Sequence, residues 1–223
     1  MKRRGFYALL VVAVIAAFAW SVASPTLAQT PGKTIQLLSQ RPDGRFTKAG
    51  WNHYGPGYWI LHPWEGTLEA HGGMGLLWYS KRKFKDFILE LDYMTEAKNT
   101  NSGIFVRVPD VPTSDDYIHH SFEVQIYDPG TGSGGIHQTG AIYDAHAPTE
   151  MASKGPGKWN HYKITCVGKR IKVELNGKLV NDWEMTAPIG KIKDFALEGY
   201  IGIQNHDWHT RLWVKNIKVT ELK

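Results

Sequence analysis

The chain has 223 residues, of which 42% are hydrophobic and 21% charged, and its formal net charge is +5. Its first 28 residues contain three basic and no acidic residues, so the charge without them is +2. No dense run of Lys and Arg remains, and we therefore expect no nucleic-acid partner. The length suits a single hydrophobic core, which favours one domain over residues 29–223.

The N-terminal segment has the pattern of an export signal. Basic residues at 2–4 precede an apolar run over 6–22, and small residues lead to a cleavage point after Ala28. This predicts a signal peptide over residues 1–28 and a periplasmic or secreted protein. The alternative is a retained anchor, but the run barely reaches the roughly 20 apolar residues that a membrane span needs. We therefore expect no stable membrane anchor after cleavage.

From residue 85 onward, short runs alternate apolar and polar residues between clusters of Gly, Pro, Asn and Asp. The runs expected to form strands are, in chain order, KDFILELDYMT, SGIFVRV, SFEVQIYD, TGAIYD, WNHYKITCV, KRIKVELNG, KLVNDWEM, YIGIQNH and RLWVKNIKVTEL. Asn176 and Gly177 between two runs predict a type I′ hairpin, and Cys166 is expected to be a buried thiol. Roughly ten strands without a long amphipathic helix predict an all-β jelly-roll sandwich of two antiparallel sheets.

Three glycines after SFEVQIYD allow a dinucleotide-binding interpretation. Gly130, Gly132 and Gly135 spell G-x-G-x-x-G. That motif binds a pyrophosphate only where a helix follows within a βαβ unit. Here the next residues indicate a loop and a strand, so we interpret the glycines as a loop beside one sheet face.

The strand FEVQI carries the first candidate site residues. Glu123 and Gln125 alternate with three apolar residues and therefore point away from the core. A retaining β-glucanase places two acids about 5 Å apart on such a face. Gln125 occupies the position where the middle aspartate would lie, so the strand lacks one of the acidic residues that an ordinary β-glucanase uses.

Other strands and loops add polar or aromatic groups that could share this face. A mid-strand arginine at position 107 is unusual unless it binds an anion or a carboxylate. The additional candidates are Asp92, Arg107, Tyr143, Gln204, His206 and Trp208. Glu123 with one or two histidines, His206 among them, could also hold a divalent metal ion. The His206 and His209 pair lies on a loop and is a weak zinc signal.

The ordered motifs N-S-G-I-F-x-R, E-x-Q-I, T-G-A-I-Y, L-N-G and I-G-I-Q-N-H resemble the 3-keto-disaccharide hydrolase family. The resemblance runs from about Trp59 to the C-terminus. It implies a concanavalin A-like jelly roll and cleavage of glycosides whose C3 hydroxyl has become a ketone. A separate sugar 3-dehydrogenase would then be the functional partner that produces the carbohydrate substrate.

The chemistry implied by the resemblance needs one base rather than two carboxylates. A ketone at C3 acidifies the hydrogen at C2, its removal lets the group at C1 leave, and water then adds. The route requires a base, a group that stabilises the enolate oxygen, and a proton donor. No cofactor is certain, although a divalent ion could take part.

By position in the motifs, the resemblance implies roles for individual residues. Glu123 or His206 would be the base, or Glu123 would bind an activating metal ion. Arg107 would hold the sugar or the oxyanion, and Tyr143 would donate a proton. The expected substrate-binding residues are Gln125, Gln204, Asn101, Asp92 and Trp208, with Asp92 also orienting Arg107. The alternative from another class is a non-catalytic carbohydrate-binding module on the same fold.

Overall fold

The computed structural model describes residues 29–128 and 135–223. The predicted signal peptide and two of the three loop glycines, Gly130 and Gly132, lie outside these residues. The strands are β1 (Pro31–Gln36), β2 (Ser39–Gln40), β3 (Phe46–Thr47), β4 (Trp51–Tyr54), β5 (Tyr58–His62), β6 (Thr67–His71), β7 (Gly75–Tyr79), β8 (Phe87–Thr95), β9 (Ser102–Val108), β10 (Phe122–Ile126), β11 (Asn160–Val167), β12 (Arg170–Leu175), β13 (Lys178–Glu184), β14 (Tyr200–Asn205) and β15 (Leu212–Leu222).

Two antiparallel sheets form the body of the protein. The larger has the order β13-β12-β11-β8-β15-β6-β5, with β1 also paired to β15, and the smaller has the order β10-β9-β14-β7-β4. Strands β2 and β3 form a separate pair. The predicted all-β sandwich of two antiparallel sheets is confirmed.

Helical structure is limited to short segments in the described part of the chain. The two 3₁₀ helices are Asp115–His119 and Gly135–His137. No helix within residues 29–128 and 135–223 is long and apolar enough to cross a membrane. Gly135, the third glycine of the loop motif, thus begins one 3₁₀ turn rather than a phosphate-binding α-helix.

The main core lies between the two large sheets. Leu89 and Ile164 of the larger sheet and Val124 and Ile203 of the smaller one are completely buried in one cluster. Each such side chain contributes about 1.5–3 kcal/mol through removal of apolar surface from water. Cys166 lies in the same cluster as predicted, and burial raises the pKa of its thiol to about 12.

The local predictions succeed at the hairpin and fail at one strand. Asn176 and Gly177 have φ angles of 53° and 82°, as the tight turn between β12 and β13 requires. The segment TGAIYD is a turn rather than a strand, because the amides of Ala145 and His146 both bond back to the carbonyl of Ile142.

A second apolar cluster covers part of the outer face of the smaller sheet. Its buried members are Leu76, Trp78, Phe105, Val108 and Tyr117. Tyr117 comes from the 3₁₀ helix Asp115–His119, which therefore packs on this face. Glu123, Gln125 and Gln204 lie beside this cluster and add polar groups to the same face.

Candidate functional site

A cleft of about 160 Å³ lies on the outer face of the smaller sheet, beside the second apolar cluster. The residues that line it are Met74, Asn101, Ile118, Glu123, Gln125, Tyr143, Lys191, Gln204 and His206. Six of these were predicted as site residues from the sequence. Lys191 was not predicted, because its segment PIGKIKDF has neither periodicity nor a motif.

The floor of the cleft is built by strand pairing. Glu123 lies opposite Phe105, and Gln125 lies opposite Gly103, on β9. A β-carbon at position 103 would overlap the carboxyl group of Glu123. The absence of a side chain on Gly103 therefore gives Glu123 the space that it occupies.

Glu123 is a buried carboxyl group, only 6% exposed. Burial raises its pKa to about 8, while the positive charge of Lys191 acts in the opposite direction. The group therefore exchanges its proton near neutral pH, where a general acid or base is most effective.

Two glutamines present unpaired acceptors beside Glu123. Gln125 donates from Nε2 to Oδ1 of Asn101 at 2.9 Å. The Oε1 atoms of Gln125 and Gln204 are buried without a hydrogen-bond partner in the described part of the chain. Leaving such acceptors unpaired costs about 1–3 kcal/mol each, so a ligand with hydroxyl donors would be favoured here.

His206 forms a dyad with the next residue. Its Nδ1 lies 2.9 Å from Oδ2 of Asp207. Burial tends to raise the pKa of Asp207, but hydrogen bonds from His206 and the amide of His209 outweigh it and lower that pKa. An ionised Asp207 keeps the proton on Nδ1 and leaves Nε2 as a proton acceptor.

Tyr143 and Lys191 close the cleft near Glu123. The amide of Tyr143 donates to the carbonyl of Glu123 at 2.9 Å, which fixes the turn against β10. Lys191 Nζ donates to the Tyr143 hydroxyl at 3.1 Å. The cleft thus combines a carboxyl, a phenol, an ammonium group and an imidazole.

The prediction that Arg107 binds in the cleft is wrong. Arg107 is fully buried, and its guanidinium donates to the carbonyls of Lys85 and Gly168 and to the carboxylate of Asp86. Its φ is 61°, and the pairing of β9 with β14 shifts register at this point. This bulge breaks the period-two alternation and turns the side chain away from the face of Phe105.

The prediction for Asp92 is also wrong. Asp92 lies on β8 in the larger sheet, where it accepts from His161 Nδ1 at 2.7 Å and Asn216 Nδ2 at 2.6 Å. It neither lines the cleft nor orients Arg107, whose carboxylate partner is Asp86.

Trp208 lies at the rim of the cleft rather than in it. It follows β14 by three residues, is 73% exposed, and packs close to Gly72. Met74, two residues after Gly72, and His206, two residues before Trp208, both line the cleft. The contact between Trp208 and Gly72 therefore lies next to it.

The predicted metal ligands have no third partner among the described residues. Glu123 and His206 share the cleft, but residues 29–128 and 135–223 contain no group of three His, Cys, Asp or Glu side chains arranged to hold a metal ion. Glu123 and His206 alone therefore do not form a complete divalent-ion site.

The sequence of residues 38–220 matches the family model described as the 3-keto-alpha-glucoside-1,2-lyase-like domain. The chain belongs to this family. The resemblance predicted from the motifs is confirmed, and membership indicates a carbohydrate-related function.

Solved structures share the fold of this family member. A "putative glycosyl hydrolase" from Parabacteroides distasonis ATCC 8503 is 30% identical, with a TM-score of 0.72 over 86% of this chain and 100% of that chain. Another from the same organism is 18% identical, with a TM-score of 0.66 over 85% and 94%. A Bacillus subtilis protein with a galectin-like fold is 11% identical, with a TM-score of 0.58 over 87% and 98%. No significant match was found among curated proteins.

Proposed function

We propose that the chain cleaves glycosides of 3-keto sugars by elimination across C1 and C2, followed by hydration. The observation that carries the proposal is a cleft with a single lining carboxyl group, Glu123, in the described residues. Glycosidases that act on unoxidised sugars typically use two carboxyl groups, about 5–5.5 Å or 6.5–9.5 Å apart. Elimination from a 3-keto sugar needs only one, and the family description agrees with this chemistry.

The reaction begins at the carbon next to the ketone. The carboxylate of Glu123 takes the hydrogen at C2 as a proton, and the C–H electron pair forms the enolate. Collapse of the enolate makes the C1–C2 double bond and breaks the bond from C1 to the leaving oxygen. Water then adds its oxygen to C1 and a proton returns to C2, which yields the free 3-keto sugar and the released alcohol.

The cleft supplies the accessory groups for this route. The unpaired Oε1 atoms of Gln125 and Gln204 would accept from sugar hydroxyls, and Asn101 fixes the amide of Gln125. Tyr143 would protonate the leaving oxygen. Glu123 is the proposed base because burial has raised its pKa to about 8, which strengthens it as a proton acceptor.

His206 is the alternative base, since its bond to Asp207 leaves Nε2 available. The dependence of kcat/KM on pH separates the two assignments. A base at position 123 makes kcat/KM rise through about pH 8. If His206 were the base and Glu123 the acid, kcat/KM would fall through the same range.

The biological setting follows from the substrate. A 3-keto glycoside arises by oxidation of the C3 hydroxyl, so we propose a sugar 3-dehydrogenase as the functional partner. The predicted signal peptide over 1–28 supports export to the periplasm or the exterior.

The test compares a 3-keto-glucoside with the same glucoside unoxidised, with and without a chelator, by release of the aglycone. Cleavage of the keto form alone supports the proposal. The second candidate is a non-catalytic carbohydrate-binding module, which the unpaired glutamine acceptors and the exposed Trp208 also suit. Sugar binding by calorimetry without cleavage of either form would favour that module.

A further inference from the structure

Among the described residues that line the cleft, Lys191 is the one with a charged ammonium group. It lies in the loop between β13 and β14, outside every motif of the sequence. Its Nζ donates to the Tyr143 hydroxyl at 3.1 Å and lies 5.0 Å from the centre of that ring.

The backbone around Lys191 is fixed on both sides. Its amide donates to Oδ2 of Asp144 at 2.7 Å, and its carbonyl lies 2.8 Å from Nδ1 of His119. Gly190 has a φ of 53°, and a β-carbon there would overlap the carbonyl oxygen of Asp144. The loop therefore packs against the turn that carries Tyr143. A lysine that only faced solvent would not need its backbone to be held in this way.

The charge of Lys191 is coupled to both acidic groups of the cleft. The hydrogen bond to Tyr143 is the largest cause that raises the pKa of Lys191, and Glu123 acts in the same direction. Lys191 in turn lowers the pKa of Glu123 against the effect of burial. The lysine thus stays protonated and interacts with the two groups proposed to move protons.

We propose that Lys191 is a positioning residue that holds Tyr143 as the proton donor to the leaving oxygen and stabilises the phenolate left behind. This inference rests on the proposed function. As Glu123 takes the C2 proton and the bond from C1 to oxygen breaks, the Tyr143 proton goes to the departing oxygen. Lys191 then donates its hydrogen bond to the phenolate.

Hydration returns both groups to their starting states. Water adds its oxygen to C1 and gives a proton to the Tyr143 phenolate, while Glu123 returns its proton to C2. Atoms and charges therefore balance over the two steps with water as the only further reactant.

The leaving group provides the test, because 4-nitrophenoxide departs without a proton and a simple alkoxide does not. In Lys191→Met, kcat/KM for a methyl 3-keto-glucoside should fall about 100-fold, and for the 4-nitrophenyl compound less than about 5-fold. Lys191→Arg, which keeps the charge, should restore most of the activity. Lys193→Met, an exposed lysine two residues away, is the matched control and should behave like the wild type.

A second readout excludes a merely structural role. In a Tyr143→Phe background, Lys191→Met should cause no further change in the ratio of the two substrates. The rising limb of kcat/KM against pH should move to higher pH in Lys191→Met, because a positive charge near Glu123 is lost.

Equal losses on the two substrates, or no loss on either, would overturn the role of Lys191 and leave the elimination itself standing. A wild-type protein that cleaves neither 3-keto-glucoside would overturn this inference together with the proposed function. Circular dichroism and Tm of Lys191→Met check the fold, which an exposed side chain should not disturb.

Discussion

The carboxyl group of Glu123 lies over the α-carbon of Gly103 on the neighbouring strand, where a β-carbon would overlap Oε1 of Glu123. Gly103 is not among the glycines with a positive φ. The backbone would therefore accept another residue there, and it is the position of Glu123 that requires glycine.

Replacement of Gly103 with Ala should displace the Glu123 side chain and narrow the cleft. We expect kcat/KM to fall about 100-fold, because a small misplacement of a reacting group is costly. Overpacking should also destabilise the protein by about 1–3 kcal/mol. Urea unfolding and kinetics of Gly103→Ala measure both effects.

The control for this prediction is a double-mutant cycle. In Glu123→Ala the overlapping atoms are gone, so adding Gly103→Ala should cost much less stability than in the wild type. A cost that is the same in both backgrounds would show that Gly103 serves something other than Glu123.

Glu123→Gln should change how stability depends on pH. The ordinary pKa of the group is 4.5 and its folded pKa is about 8. Below 4.5 both states are protonated. Between these values only the unfolded chain is ionised, so the stability of the wild type falls as the pH rises, and the contribution is lost above about 8.

The glutamine variant lacks this loss. Between about pH 5 and about pH 9, its free energy of unfolding should increase relative to that of the wild type by at least about 1 kcal/mol, which corresponds to about 2 °C in Tm. Glu198→Gln, at an exposed glutamate, is the control and should show no such gain. Parallel pH profiles for wild type and Glu123→Gln would mean that Glu123 is not desolvated.

Arg107→Met tests whether Arg107 stabilises the fold rather than acting in the cleft. Arg107 is fully buried and its guanidinium bonds to Asp86 and to two backbone carbonyls. Removal of one member of such a buried pair costs about 3–5 kcal/mol. Stability should fall by this amount while the folded fraction keeps its kcat/KM. A stable variant with abolished turnover would restore Arg107 to the active site.

Trp208→Ala tests the rim of the cleft. An exposed aromatic face can stack on a second sugar ring or an aryl aglycone. KM should rise about 3- to 10-fold with kcat unchanged, because the contact does not involve the reacting atoms. Trp64 is equally exposed, at 72%, on the turn between β5 and β6, and Trp64→Ala should leave both constants unchanged. Similar effects in the two variants would argue against a rim subsite.

The sequence predicts those features that depend on local alternation. Period-two runs from residue 85 onward predict most of the strands β8 to β15, and Asn176-Gly177 predicts the hairpin between β12 and β13. Glu123 and Gln125 were assigned to the outer face because their neighbours in β10 are uniformly apolar. Both residues do line the cleft.

The failures occur where tertiary contacts override alternation. At Arg107 a bulge inserts one residue, which reverses the side to which the chain points and could not be read from SGIFVRV. Asp92 was assigned to the site from the strand face on which it lies. Alternation does not show which sheet a strand joins, and β8 belongs to the larger sheet. Lys191 reaches the cleft through contacts with Asp144 and His119, which are distant in sequence.

The fate of the hydrogen at C2 tests the central claim most directly. A 3-keto-glucoside deuterated at C2 should be cleaved with a primary isotope effect on kcat/KM. In D₂O, the unlabelled compound should acquire deuterium at C2 of the product to the extent that the proton on Glu123 exchanges with solvent before it returns. Direct displacement at C1 leaves the C2–H bond intact. Cleavage with no isotope effect and with full retention of the C2 hydrogen would contradict elimination.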